Sequence, residues 1–356
     1  MNVKQHYLLD GIRIFKQWLL FPVIIAVFSI LLFSSSSQAE GDMLKFHVTP
    51  NLPESQLENS NGYFDLNLNP GETETLSVKV QNASSELVKL QVTPHTAFTN
   101  VHGVVEYGKD AIESETTLTY SLDTLIEPSE VIELAGDEAK TVTLELKMPS
   151  ETIEGILAGG LRIAEVKEEQ EKETESQEGV SINNEFAYVI GVVVSNSRDY
   201  VQGDLDLIDV FADQLNYRNV ISATIQNFTP TFVNRLAVEA TVQRVGEEEV
   251  LYEASEEQMQ MAPNSHFNFP ISLEGDRFQA GDYVLKLKAI SGEDEWSWER
   301  NFMIKADEAQ TFNREDVTID TSINWWMIGS ISLMVILIAI IIYLVYQKNK
   351  SRKETK

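Results

Sequence analysis

Five histidines, 55 Asp and Glu residues and no cysteine bound the chemistry open to this chain. His6 stands near the start, and His47, His95, His102 and His266 lack the i,i+4 or similar spacing that brings two imidazoles to one metal. With no thiol, there can be no zinc–thiolate site, cysteine nucleophile, disulfide or cysteine-linked lipid. Asp204, Asp206 and Asp209 alternate as on a strand, without the glycine on which a calcium loop turns. No G-x-S-x-G elbow, Walker motif, G-x-G-x-x-G or EF-hand loop occurs. The carboxylates are too numerous for sequence to nominate a catalytic pair. Asn82-Ala83-Ser84 and Asn227-Phe228-Thr229 match the N-glycosylation pattern, which has meaning only in a eukaryotic secretory route. The expectation is a non-enzyme with no cofactor and no metal, so the question becomes what it binds.

Charge narrows the partners. The 356 residues carry 27 Lys+Arg and a formal net charge of −28. Phosphate binding needs Lys and Arg to neutralise it, so nucleic acid is excluded. Three basic and one acidic residue precede Glu40, and five basic and one acidic follow Tyr346, so the segment between is more acidic still, at −34. Solubility explains that excess, and calcium or a basic partner is the sharper alternative.

The two ends predict the compartment. Lys4, Arg13 and Lys16 precede an apolar run from Trp18 to Phe33, and Ser37 and Ala39 sit like a cleavage site, so residues 1–39 read as a signal peptide. The rival is an uncleaved anchor, for which that run, broken by Pro22, is short of the ~20 residues of a span. Residues 325–346 carry no charge and read as a transmembrane helix, with Trp325, Trp326, Tyr343 and Tyr346 at its two interfaces. The tail 347–356 is basic and stays in the cytoplasm, leaving the ectodomain outside in the cell wall. An exported chain without cysteine suits a Gram-positive bacterium, and no LPxTG-type sorting motif precedes the helix.

What must position any binding residues is β-structure, because the periodicity between the ends is two. Phe64, Leu66 and Leu68 alternate with polar residues, as do Leu76, Val78 and Val80, and Val142, Leu144 and Leu146. Turn residues at Asn69-Pro70-Gly71, Asn82, Pro94, Gly103 and Gly136 punctuate them at the spacing of a sandwich. Residues 167–179 hold six glutamates and no aliphatic residue, and form either a linker or the exposed tip of a hairpin. The apolar runs 155–163 and 186–194 on either side favour the hairpin, which puts a first domain at 40–197. Further strands at 220–227, 236–242, 250–252, 267–273, 283–289 and 296–304 make a second domain at 198–306, followed by a juxtamembrane stalk at 307–324. The fold class is all-β: two immunoglobulin-like β-sandwich domains and one C-terminal transmembrane helix. Ser77–Asn82 and Ser222–Asn227 both end a strand in Gln-Asn, a weak internal echo.

Longer motifs carry a resemblance. Phe46–Gln56, Gly62–Leu66, Pro70-Gly71, Val78–Asn82 and Ala97–Asn100 with Gly103 resemble the N-terminal domain of the WxL-interacting proteins of Gram-positive bacteria. Tyr188–Gly191, Gln226-Asn227, Met259–Ser265, Phe267–Ile271 and Ala280–Tyr283 resemble that family's C-terminal domain. The one departure is Ser55 in the N-terminal motif, where an asparagine is expected before the glutamine. The resemblance implies a surface adhesion or scaffold protein. Its N-terminal domain would bind peptidoglycan; its C-terminal domain would bind host extracellular-matrix proteins or separately secreted WxL-domain surface proteins. Within the N-terminal motif Asn51, Glu54, Gln56 and Tyr63 are the candidate wall-binding residues, polar and aromatic groups suited to sugars and amides. The alternative is that Phe64 is core and the others brace a turn. In the second domain Met259 and Met261 are the candidate protein-binding residues, on a loop 259–265 expected to be exposed, with a buried Met261 as the alternative. Trp296 and Trp298 share a strand face as a core pair or a hot spot, and one of them is expected to be buried. A different functional class also stays open: an extracytoplasmic chaperone or assembly factor that adds partner strands to a sheet edge.

Overall fold

The described residues are mostly β-structure, with few helices. The computed structural model describes residues 45–58, 60–111, 117–166, 186–319 and 325–353, apart from the side chains of 325, 327 and 344–353. The expected signal peptide and the acidic tract 167–179 lie outside the described residues.

Strands β1 (Phe46–Asn51), β2 (Phe64–Asn67), β3 (Thr73–Asn82), β4 (Val88–Thr96), β5 (Phe98–Thr99), β6 (Val105–Glu106), β7 (Ile132–Leu134), β8 (Ala139–Lys147), β9 (Ile156–Glu165) and β10 (Ala187–Ser195) come first, with a short helix α1 (Leu122–Leu125). They form a three-stranded sheet β1-β3-β8, a five-stranded sheet β2-β10-β9-β4-β7 and the small hairpin β5-β6. Strands β9 and β10 pair antiparallel from Ile156↔Ser195 to Ala164↔Ala187, so the two apolar runs are neighbours in one sheet. The alternation read from sequence points inward as expected, with Phe64, Leu66, Leu76, Val78, Val80 and Leu146 all fully buried. Phe46 of β1 meets Tyr188 of β10 at a ring separation of 5.5 Å, which marks the two sheets as facing layers.

The second sandwich is built from β11 (Leu205–Leu215), β12 (Arg218–Asn227), β13 (Val233–Arg244), β14 (Val250–Met261), β15 (Ser265–Ser272), β16 (Gly281–Ser291) and β17 (Asp294–Ile304). Its sheets run β11-β12-β15 and β14-β13-β16-β17. One apolar cluster, including Leu207, Ile225, Val238, Phe269, Leu285 and Leu287, fills the space between them. Trp296 and Trp298 both lie half-buried against this cluster, so neither is the fully buried residue expected.

Two expectations for the C-terminal part change. The stalk placed at 307–324 is, through Ile319, a docked element: helix α2 (Ala306–Glu315) buries Ala309 and sets Phe312 against Phe278 at 5.8 Å. Polar hooks fix it, with Asn313 bonded to Asn219 and to the backbone of Phe278, and Gln214 donating to the carbonyl of Phe312. Just beyond, the Asp316 carboxylate accepts from the amides of Asn219 and Thr318 at 2.7 Å each. A stalk reading fails here because apolar residues at i and i+3 had a surface to cover. At 325–346 the structure has a helix α3 (Trp325–Lys353), whose described side chains from Ile328 to Tyr343 are all exposed. Among the described residues no helix is long and apolar enough to cross a membrane, so the transmembrane assignment is not shown.

Candidate functional site

The four wall-binding candidates do not converge. Asn51 ends β1 opposite Ser77 and donates to its hydroxyl at 3.3 Å, on the three-stranded sheet. Glu54 is exposed on the turn that follows. Gln56 is a brace: its amide donates to the carbonyls of Ser60 and Tyr63 at 3.2 Å each and to the Ser60 hydroxyl at 3.0 Å, and its oxygen accepts from the Asp65 amide. With both ends of its amide committed, Gln56 ties Ser60, Tyr63 and Asp65 together and has little left for a ligand. Tyr63 is 37% exposed, but it immediately precedes β2 of the other sheet, where it packs beside Gly191 of β10. The turn-brace alternative therefore describes Gln56, and Phe64 is core at 0% exposure.

Tyr63 instead joins a surface that sequence reasoning missed. The segment after β6 crosses the outer face of the five-stranded sheet, and a Cβ on Gly160 would lie 2.5 Å from the carbonyl of Tyr107. Glycine at 160 is what lets that strap approach the sheet. Burial, and secondarily the nearby Tyr63, push the Tyr107 phenol up from its ordinary value. Beside it His95 is bonded to Asp110 at 2.7 Å and to Thr93 at 2.9 Å, which holds the imidazole as a structural tie. Among the described residues no group of three or more His, Asp or Glu is placed to hold a metal.

Met259 and Met261 are not exposed. They are 5% and 0% accessible, because β14 runs on to Met261 and pairs with β13 at Val233. Periodicity missed this extension since β14 is an edge strand whose middle, Glu253 to Gln258, presents mostly polar residues and is interrupted by register shifts. Their place is the junction of the two sandwiches. Gly103, at φ +64°, sits so close to Met259 that a Cβ there would lie 2.5 Å from its Cγ and Sδ. The amide of Gln260 donates to the carbonyl of Gly103 at 2.8 Å, and the amide of Ala262 to the Thr99 hydroxyl at 3.0 Å. Thr99 and Ser265, both buried, share a hydroxyl bond of 2.6 Å. The Ile156 amide reaches the carbonyl of Pro230 at 2.9 Å, and Ala97, Val105, Ala158 and Ala262 form a small apolar cluster between the domains. Two motifs that stood apart in the sequence, Ala97–Gly103 and Met259–Ser265, are thus the two sides of one contact. Neither contains a signal that it faces the other.

Beside the junction opens a polar cleft of about 760 Å³, lined by the connector Ser197–Gly203, by Pro230–Arg235, by Ser291–Asp294 and by Trp296. Aromatic, amide and guanidinium groups thus line a concave surface on an all-β frame of two sandwiches. The chain belongs to the WxL-interacting protein family. The family's peptidoglycan binding domain matches residues 46–165 and its host binding domain residues 177–314. The second match starts ahead of β10, although that strand hydrogen-bonds into the first sandwich. No curated protein is similar to the chain. Among solved structures, a chaperone–tip adhesin complex of CFA/I fimbriae is 11% identical with a TM-score of 0.27, covering 74% of this chain and 99% of that one. The class 5 fimbriae chaperone CfaA is 11% identical at 0.27 (72% and 98%), and the E. coli chaperone DraB 12% at 0.26 (73% and 96%). At such values these likenesses carry no functional argument.

Proposed function

We propose that the chain is a cell-surface adhesion or scaffold protein that holds peptidoglycan through its first sandwich and a protein through its second. That protein is a WxL-domain surface protein or a host matrix protein. In this reading the signal is cleaved after Ala39, the helix at 325–346 anchors the chain in the membrane, and the tail from Gln347 lies in the cytoplasm. The observation that carries the proposal is the match of a peptidoglycan-binding and a host-binding domain, in that order, to the two sandwiches. The uncharged run 325–346 and the basic tail support the anchoring. Of the wall-binding candidates, Glu54 and Tyr63 keep exposed side chains for contact, and Asn51 is exposed at a strand end. The full chain is the right test material, since cutting near Ser197 would lay open Ala262 and Met259. It should co-sediment with purified wall sacculi, and protease added to protoplasts should remove the ectodomain while sparing a tag after Lys356. Failure to sediment ends the wall-binding half of the proposal, and loss of the tag under intact membranes ends the topology.

A further inference from the structure

The cleft beside the domain junction combines features that none of the individual motifs suggests. Tyr200 stands on its connector wall with 85% of its surface exposed, which leaves its ring open to a ligand. Across the same cleft Trp296 is half-buried, with its indole N–H tied to the Asp204 carboxylate at 2.8 Å, so the ring is fixed while part of its surface remains accessible. Two aromatic faces in one concave site suit flat apolar surfaces that carry polar edges, and pyranose rings are such surfaces.

The polar groups are also held in place. Gln202 donates to Asp294 at 3.0 Å, and Ser197 to Asp199 at 2.6 Å, which fixes amide and carboxylate acceptors along the lining. Arg235 is exposed and sits at φ +51°, where the β13–β14 pairing shifts register between Asn234 and Leu236. A left-handed backbone is unfavourable for a non-glycine residue, and bulges re-aim side chains, here toward a cleft that Arg235 lines. The carboxylates of Asp199, Glu293 and Asp294 on the same lining repel polyanions, so an anionic wall polymer is a poor fit. Hydroxyl and acetamido groups on uncharged rings match what is left.

We propose that this cleft binds N-acetylated, β-linked glycan, with Tyr200 and Trp296 as stacking faces and Arg235 as a hydrogen-bond donor. The proposal rests on the wall-binding reading above and deepens it: part of the glycan contact lies outside the residues that match the peptidoglycan-binding family, on the connector and the second sandwich. The test measures the full chain, and its Tyr200→Ala and Arg235→Gly variants, for sedimentation with sacculi and for competition by the N-acetylglucosamine tetramer. Both substitutions are at exposed positions, and glycine suits φ +51°, so folding is retained. The expected result is competition by the tetramer and about tenfold weaker sacculus binding in each variant, the scale of a single aromatic or arginine anchor. If the parent chain sediments but the variants match it, or the tetramer does not compete, the cleft is overturned and wall binding stands. If the parent chain does not sediment, both fall.

Discussion

Each sandwich ends a ten-residue strand, β3 or β12, in a Gln-Asn pair, and in each the asparagine is completely buried. The local chemistry is the same. The Asn82 side-chain oxygen accepts from the amide and hydroxyl of Ser84, and the Asn227 oxygen does so from Thr229. The N-x-[ST] pattern is here an Asx-type turn with its asparagine committed inward. The difference lies in where the amide nitrogens point. Asn82 donates to the carbonyls of Glu86, Leu134 and Ala135, all within its own sandwich. Asn227 donates to Thr231 and to Ala262, and the amide of Ala262 is bonded to Thr99 of the first sandwich. One device was used once to close a loop and once to brace a joint.

Replacing either asparagine by alanine strands several buried carbonyls and amides, and should cost about 3–4 kcal/mol by denaturant unfolding. The comparison predicts a distinction: Asn227→Ala should also speed hydrogen exchange of the Ala262 amide, whereas Asn82→Ala should leave it protected. Equal protection in both would mean that Asn227 does not support the joint.

Next in size is Gly103→Ala. The left-handed backbone and the overlap with Met259 should together cost about 2–3 kcal/mol. Combining it with Met259→Ala should recover more than 1 kcal/mol relative to additivity, since the second change removes the obstructing side chain. Strict additivity in that double-mutant cycle would refute the contact.

Asp316 offers a smaller, pH-dependent effect. Burial pushes its carboxyl up, but the Thr318 hydroxyl and the amides of Asn219, Thr318 and Ile319 outweigh burial and hold it below its ordinary value. A lowered folded value stabilises the charged form, so this contribution is complete above the unfolded carboxyl value of about 3.9 and fades as pH falls through the lower folded one. Helix α2 should therefore stay protected from exchange at pH 5 and loosen progressively as pH falls below about 3.9, and Asp316→Asn should loosen it already at pH 5.

The smallest effects belong at the N-terminal motif. Glu54→Ala and Asn51→Ala should change stability by no more than about 0.5 kcal/mol, against about 1–2 kcal/mol for Gln56→Ala, which breaks the loop brace. A reversed order in thermal unfolding would return Gln56 to the ligand-contact candidates.

Sequence alone determined much of this molecule. Alternation in Phe64–Leu68, Leu76–Val80 and Phe267–Ile271 states which face is buried, because a strand's period of two admits only one assignment once one side is apolar. The Gly155–Ile163 and Phe186–Val194 runs were legible as partners for a different reason, being continuous apolar stretches on either side of an acidic tract, and the absence of cysteine closed whole classes of chemistry. Only tertiary structure decided that Met259 and Met261 are interior, that Gln56 ties Ser60, Tyr63 and Asp65 together, that residues 306–319 dock instead of forming a stalk, and that Tyr200, Arg235 and Trp296 share a cleft. Periodicity reports how a residue relates to its own strand. A bulged edge strand hides that signal, and contacts such as Gly103 with Met259 join positions far apart in the chain, whose meeting depends on how two completed sandwiches fit together.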